Sequence, residues 1–391
     1  MFEPGRHFSP EYRAWDRAEV VAAIGEIAAD ALAALDEESL WPGHPLDDVP
    51  AGNGSVYFGA AGVIWVLDRL RRVGAIDGGR DLASLMPVVL ERNALWYAQT
   101  PYPAHASLLM GDLGIRLVQM RLAPAPDLAD RIYDLAASNN DLPTVELMWG
   151  LPGSMLACIH MDALTGDTRF RTLFRAQAER LLAEVEMTGE GPIWTQHLYG
   201  RRGRWLGPVH GFAGHMVPLL RGWDWLDPDQ RALVADAGIR TLAAHAVRSD
   251  LGANWPSSTG LVPKLCQHCH GAPGMVTTFA DAPFSTPGFE ALLLAGGELT
   301  WNAGPLLKGS NLCHGTGGNG YAFLKLHRRT GDPLWLTRAR AFAMAAIDQV
   351  RDARTTFGQG RHSLWTGDPG LAIYLWDCIT GEPAFPTIDV I

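Results

Sequence analysis

The chain has 391 residues, of which 47% are hydrophobic and 19% charged, so it can bury a sizeable core and global disorder is excluded. Acidic residues outnumber basic ones by 42 to 32, and the net charge of −10 argues against nucleic acid as the main partner. No run of 18 apolar residues and no secretory leader pattern is found in it, so we expect a cytoplasmic protein without a membrane span.

A short glycine pattern recurs along the whole chain, as Gly-x-x-Gly followed by an apolar run. Its seven copies begin at Gly59, Gly111, Gly150, Gly211, Gly271, Gly315 and Gly367. The copies are 52, 39, 61, 60, 44 and 52 residues apart, which indicates a repeat architecture. Glycine at these positions allows the backbone to approach closely and to adopt positive φ.

Segments with helical amphipathicity lie between the glycine motifs. Helices are predicted at roughly 14–35, 80–98, 127–138, 168–185, 228–248, 287–300 and 333–351. Asp227-Pro228 and Asp332-Pro333 each place a capping oxygen before a proline at the first helical position, while strand signals are scarce.

These elements predict an all-α fold, an α/α toroid of seven helical hairpins. The apolar helix that follows each glycine pair would form the inner layer, and the amphipathic helix the outer layer. An open solenoid is the alternative, but seven near-equal units without polar end caps favour a closed ring. Residues 1–391 are expected to form one domain, in which 1–50 provide an outer helix and a Pro/Gly/Asp-rich loop.

Two glycine loops carry a Cys-His pair directly before the glycine, Cys269-His270 and Cys313-His314. Adjacent loops of a toroid would bring the pairs together, and two thiolates with one imidazole fill three of four positions of a tetrahedral zinc site. An open fourth position is typical of catalytic zinc, which lowers the pKa of a bound thiol. Cys266 could instead form a redox pair or half a zinc knuckle with Cys269, but there is no second CxxC.

Three other residues are expected near the same end of the ring as the Cys-His pairs. His210 precedes Gly211 as the Cys-His pairs precede their glycines, and it can act as a general acid or base near neutrality. Glu146, four residues before Gly150, would orient His210 or take a proton, or else be a solvated or capping glutamate. His215, one turn into the following helix, is interpreted as structural, like Cys158 and Cys378, since buried free cysteine is common and inert.

The motifs resemble those of the lanthionine synthetase C family, which includes bacterial lantibiotic cyclases and eukaryotic LanC-like proteins. The resemblance covers nearly the whole chain and rests on Cys-His-Gly-Ala-Pro-Gly at 269–274, Leu-Cys-His-Gly-Thr at 312–316 and His-Gly-Phe-Ala-Gly at 210–214. The LanC-like branch is favoured by SVYFGAAG at 55–62, SLLMGDLG at 107–114, ELMWG at 146–150 and SLWTGDPG at 363–370.

This resemblance implies one Zn²⁺ per chain, with Cys269, Cys313 and His314 as ligands. It also implies His210 as the acid or base, and Glu146 where the LanC-like branch has a glutamate. The implied reaction adds a thiol to dehydroalanine or dehydrobutyrine in a peptide or protein, giving a thioether. The thiol is glutathione in LanC-like proteins and a cysteine of the same peptide in cyclases.

Three further positions are interpreted through the same resemblance. Lys308, five residues before Cys313, is a candidate contact for glutathione or a phosphorylated substrate, or an ordinary surface lysine. His268 departs from the family, which usually has an aromatic residue there, and would alter the pocket or add a ligand. His270 is adjacent to a ligand and would contact the metal ligands without binding the metal itself.

Other functions remain open at this point. A cyclase acting in trans on one precursor peptide would share the zinc chemistry. A scaffold that binds zinc and glutathione without turnover has no need of His210 and Glu146. A toroid glycosidase or epimerase would suit the 14 tryptophans but leaves the Cys-His pairs unexplained. Because no motif for making dehydroamino acids is visible, we expect a separate kinase, lyase or dehydratase to supply them.

Overall fold

The structure is a computed structural model that describes residues 1–9, 12–47, 52–78, 80–100 and 106–391, and these are mostly helical. The helices in chain order are α1 (Arg17–Ala33), α2 (Ala60–Arg72), α3 (Met86–Ala98), α4 (Asp112–Leu122), α5 (Pro126–Ser138), α6 (Leu151–Thr165), α7 (Arg169–Ala183), α8 (Phe212–Arg221), α9 (Pro228–Asp236), α10 (Leu242–Ala244), α11 (Ala272–Phe279), α12 (Pro287–Ala303), α13 (Thr316–Thr330), α14 (Pro333–Phe357) and α15 (Asp368–Thr380). A five-residue π-helical segment, Ala237–Thr241, joins α9 to α10.

Seven of these helices form a closed inner ring. They are α2, α4, α6, α8, α11, α13 and α15, and each contacts the next, while α15 contacts α2. All eight residues of α11 are buried, whereas the outer helix α7 buries one face only. A helix that is apolar and buried all round belongs in an interior layer. The predicted α/α toroid is therefore confirmed, and the ring is closed rather than an open solenoid.

Each inner helix begins directly after the first glycine of a motif, so that all seven glycines are N-cap residues. The second glycine lies in the first turn, packed against the preceding loop: a Cβ at Gly114 would collide with the Leu108 carbonyl, and one at Gly318 with the Leu312 carbonyl. Among the seven N-caps, Gly271 alone has a positive φ, of 116°. Close approach therefore explains most of the motif, and the expectation of positive φ is wrong at the other six.

The outer layer follows the amphipathic segments of the sequence, with helix ends shifted by a few residues. Asp227 caps α9 by accepting a hydrogen bond from Gln230 N, and Asp332 caps α14 by accepting from Leu334 N. The segment predicted at 80–98 begins late, because a 3₁₀ turn at Ala83–Leu85 precedes α3. The predicted loop within 1–50 extends into 48–50, which lie outside the described residues.

Three short antiparallel hairpins interrupt the helical pattern. They pair β1 (Glu186–Thr188) with β2 (Gly191–Ile193), β3 (Gln196–Leu198) with β4 (Arg201–Gly203), and β5 (Val247–Ser249) with β6 (Gly252–Asn254). Each strand has three residues, which is too short for the alternation that marks a strand in sequence.

The segment after α15 returns into the ring. The ring of Phe385, which is fully buried, lies 4.6 Å from both His268 and Tyr321 and 5.3 Å from Trp365. These three residues belong to different repeats, so the segment fills the space between inner helices. In the described part of the chain, no helix has both the length and the apolar composition that a membrane crossing requires.

Candidate metal centre and cavity

The loops that precede the inner helices are joined edge to edge by backbone hydrogen bonds. Cys269 N donates to Cys313 O at 3.0 Å, and Cys313 N donates to Trp365 O at 2.9 Å. Trp365 N in turn donates to Tyr57 O at 3.1 Å. All four residues stand two positions before the N-cap glycine of their repeat. Residues in this register are therefore brought together although they are far apart in sequence.

Cys269, Cys313 and His314 form a compact cluster of potential metal ligands. Their sulfur and ring nitrogen atoms all lie within 4.8 Å of one another. Both cysteines are buried, at 8% and 5% exposure, and His314 is half-buried. Two thiols and one imidazole at this spacing fit Zn²⁺, which prefers sulfur and nitrogen ligands and keeps a fourth position for substrate in catalytic sites.

The electrostatics of the two thiols support that fit. A hydrogen bond from Cys313 holds the pKa of Cys269 well below its ordinary value, and His314 and His270 add to the effect. The same hydrogen bond, together with burial, raises the pKa of Cys313. The hydrogen bond between the two sulfurs therefore makes the Cys269 thiol the easier of the two to deprotonate, and a metal ligand must be deprotonated to bind.

Each sulfur also accepts a hydrogen bond from an uncharged side chain. Tyr57 Oη donates to Cys313 Sγ at 2.8 Å, and Gln267 Nε2 donates to Cys269 Sγ at 2.9 Å. The sequence analysis missed both donors. A signal for Tyr57 was available, because it stands in the same register before Gly59 as the cysteines do before their glycines.

His210 and Glu146 form a second polar group beside the cluster. His210 Nδ1 and Glu146 Oε2 are 2.6 Å apart, and Glu146 is 1% exposed. The Glu146 carboxylate also accepts from the backbone nitrogen of Trp149. Burial alone would lower the pKa of His210, but the charge and hydrogen bond of Glu146, together with Cys269, raise it above its ordinary value. Because Nδ1 is engaged, Nε2 is the ring nitrogen free for chemistry.

Both groups face one cavity of about 420 Å³. Its wall includes His210, His314 and the cationic Lys308, with Arg361 beside its ion-pair partner Asp47. The rest of the lining is mainly apolar and aromatic, from Leu46, Tyr57, Phe58, Trp96, Met110, Met148, Trp149 and Tyr199. A cavity that combines aromatic and apolar walls with convergent polar groups is a usual form of a small-molecule or peptide side-chain site.

The other residues singled out from the sequence belong neither to the ligand cluster nor to the Glu146–His210 pair. His215 is fully buried between the Gly211 and Val145 carbonyls, and burial lowers its pKa to about 4, in keeping with a structural role. His268 stacks on Phe385 with its pKa lowered to about 4 by burial, and it is outside the ligand cluster. Cys266 is a buried free thiol whose pKa burial raises to about 12. His270 acts on Cys269 through its charge.

Residues 127–390 match the family of lanthionine synthetase C-like proteins. The chain belongs to this family. It is 35% identical over 195 residues to LanC-like protein GCL1 of Arabidopsis thaliana, an alignment that covers 48% of this chain and 44% of that protein. It is 36% identical over 202 residues to Glutathione S-transferase LANCL1 of Danio rerio, which covers 50% of this chain and 47% of the relative.

The chain thus spans about half the length of the curated relatives that it matches. These relatives place it in the LanC-like branch of the family. The solved structure of a nisin cyclase superposes with a TM-score of 0.59 over 92% of both chains at 13% identity, and so shares the fold.

Proposed function

We propose that this protein is a zinc-dependent enzyme that adds a thiol to a dehydroalanine or dehydrobutyrine residue of a peptide or protein, forming a thioether. The observation that carries the proposal is the juxtaposition on one cavity of the Cys269–Cys313–His314 cluster and the Glu146–His210 pair. A metal-binding scaffold has no need for the second group. Residues 1–391 are taken to act as one domain around this cavity.

Cys269, Cys313 and His314 would hold one Zn²⁺, which supplies a Lewis acid that lowers the pKa of the incoming thiol. The two protein thiolates balance the charge of the dication. Both cysteines are buried and do not line the cavity, whereas His314 does, so a substrate thiol would reach the metal from the cavity. This arrangement matches the pattern of three protein ligands and one open position in catalytic zinc sites.

His210 is assigned to the proton transfers. As the sulfur–carbon bond forms at the β-carbon, the electron pair of the double bond moves to the α-carbon, which must then receive a proton. His210 Nε2 would donate it, and the charge and hydrogen bond of Glu146 favour the protonated imidazole. The proton lost by the thiol balances the reaction. Glu146 fixes the tautomer and stabilises the imidazolium.

Glutathione is the thiol donor that we favour. The relative from Danio rerio is named a glutathione S-transferase. Lys308 provides a cation in the cavity wall, where it can pair with a carboxylate of the donor or with a phosphate of the substrate. A peptide cysteine is the alternative donor, since nisin cyclase has the same fold. In either case a separate kinase, lyase or dehydratase would supply the dehydrated substrate.

Metal content and thioether formation test the proposal together. We expect about one zinc per chain in the wild type, lost in Cys269→Ala and in Cys313→Ala. Cys158→Ala is a matched control, because it removes a buried thiol that does not belong to the cluster. The zinc-loaded protein should add glutathione to a dehydroalanine peptide, and neither alanine variant of the cluster should do so. Full activity in Cys313→Ala would overturn the mechanism, and a zinc-loaded wild type that is inactive with both thiols would leave a scaffold.

A further inference from the structure

The two sulfurs of the cluster each accept a hydrogen bond from an uncharged side chain outside the ligand set. The donors come from different places in the chain: Tyr57 from the loop before α2, and Gln267 from the loop before α11. Each sulfur has one such donor, at 2.8 and 2.9 Å. Neither residue is needed to complete a Cys₂His ligand set, so their presence calls for a separate explanation.

Both donors are locked in place. Tyr57 stacks on Trp365 with ring centroids 5.4 Å apart, and its backbone nitrogen is bonded to Leu109 O. Gln267 exchanges two backbone hydrogen bonds with His270 at 3.0 Å. Its Oε1 faces Arg6 Nη2, which leaves Nε2 for the sulfur.

The proposed reaction creates a chemical problem that these donors address. The dehydroamino acid is an electrophile, and it must react with the incoming thiol beside two protein sulfurs that carry thiolate character. If a protein sulfur attacked the β-carbon instead, a sulfur–carbon bond would form, the double-bond electron pair would take up a proton at the α-carbon, and the enzyme would be alkylated. Hydrogen bonds withdraw electron density from a thiolate and weaken it as a nucleophile.

We propose that Tyr57 and Gln267 are positioning residues that keep the sulfurs of Cys313 and Cys269 from reacting with the substrate, so that the thioether forms on the added thiol. This rests on the proposed function above. A general structural role would affect both sulfurs alike, whereas in this proposal each donor protects one particular sulfur.

Site-resolved alkylation tests the proposal without using the catalysed reaction. The zinc-loaded full chain is treated with iodoacetamide, in which a sulfur–carbon bond forms and iodide leaves, and the rate at each cysteine is measured by peptide mass spectrometry. We expect Tyr57→Phe to raise the rate at Cys313 by about tenfold with Cys269 unchanged. Gln267→Leu should raise the rate at Cys269 by a similar factor with Cys313 unchanged. Tyr199→Phe removes a hydroxyl from the cavity wall, not from a sulfur, and should change neither rate.

The ratio of the two rates separates protection from simple loss of metal. A variant that merely releases zinc would expose both cysteines, so a parallel rise at both contradicts the proposal, as does no rise in a variant that retains its zinc. A dehydroalanine peptide without added thiol gives the second readout, as a self-adduct of increased mass on Cys313 in Tyr57→Phe. Because alkylation is read without turnover, a protein that binds zinc but forms no thioether would overturn the proposed function and leave this rate comparison intact.

Discussion

The two ends of the inner ring differ in how their buried charged side chains are paired. At the C-terminal ends of the inner helices, Lys325 is 1% exposed and its Nζ lies 2.5 Å from carboxylate oxygens of both Asp281 and Asp389. Arg221 and Arg328 complete the compensation. At the N-terminal ends, the loops bring together two thiols and the Glu146 carboxylate. The groups that oppose their charge are mainly imidazoles, those of His210, His270 and His314, and Lys308 acts on Cys313 through its charge.

This difference bears directly on the role of the loop end. A buried charge is tolerated when partners satisfy it, as they do around Lys325. At the loop end the two thiols are hydrogen-bonded to each other, and this bond lowers the pKa of Cys269 while it raises that of Cys313. An incompletely compensated anionic cluster beside a cavity is suited to binding a cation, which supports the proposed zinc. At the far end the buried charges are already paired with each other.

The largest expected effect separates catalysis from stability at the loop end. His210→Asn should lower kcat/KM for thioether formation by about 10²–10⁴-fold, because it removes the proton donor. Zinc content should stay unchanged, since His210 is outside the ligand cluster and the asparagine amide can still donate to Glu146. His197→Asn, which changes an exposed histidine of β3, is the control. A His210 variant that loses its zinc instead would mean that the two polar groups are not separate.

The reverse pattern is expected at the far end. Lys325→Met leaves Asp281 and Asp389 buried without their shared cation and should lower the free energy of unfolding by about 3–5 kcal/mol, measured in urea. The zinc content of the remaining folded protein should be unchanged. Arg351→Met breaks ion pairs with Glu19 and Glu26 at the surface and should cost less than about 1 kcal/mol. Equal losses in the two variants would contradict the comparison of the two ends.

Asp377, near the C-terminal end of α15, is a buried carboxyl whose pKa is shifted in the opposite direction to that of Asp281. Burial raises its pKa to about 7, although it accepts hydrogen bonds from Tyr321 and Ala384 N. Below about pH 4 both folded and unfolded chains are protonated. Between about pH 4 and 7 only the unfolded chain ionises, so the contribution to stability falls as pH rises, and above this range the loss is complete.

Asp377→Asn should therefore remove this part of the pH dependence and raise stability at neutral pH by about 1–4 kcal/mol. The asparagine oxygen can still accept both hydrogen bonds. Unfolding free energies between pH 4 and 8 provide the measurement. Asp281→Asn is the informative contrast, because cations hold the pKa of that carboxyl down, and the substitution should destabilise. An unchanged pH profile in Asp377→Asn would show that this carboxyl ionises freely.

Local patterns account for what the sequence could predict. The glycine period and the amphipathic segments are short-range signals, and they located the inner helices and the outer layer to within a few residues. The repeated register also explains why Cys269, Cys313 and His314 could be grouped before their positions were known. Their grouping needed only the assumption that equivalent loops lie side by side, which the backbone hydrogen bonds between the loops now describe.

Long-range pairings account for what was missed. Tyr57 and Cys313 are 256 residues apart, and their shared register places the two loops side by side without indicating that the phenol will donate to the sulfur. The stacking of His268 on Phe385 likewise depends on the return of the last segment into the ring, which carries no periodic signal. The expectation of positive φ at the glycines failed because close packing against a carbonyl also excludes a side chain.

The smallest predicted effect concerns the influence of Glu146 on the pKa of His210. Glu146→Gln keeps an oxygen that can accept from His210 Nδ1 but removes the charge that raises the pKa of the imidazole. The pKa of His210 should fall, so the basic limb of the kcat/KM profile should move to lower pH, with a loss below about 10²-fold at neutral pH. The NMR titration of the His210 ring should shift in the same direction as the rate. A rate profile that stays in place while the ring titration moves would show that the proton comes from a group other than His210, and the charge at the loop end would then serve only to bind.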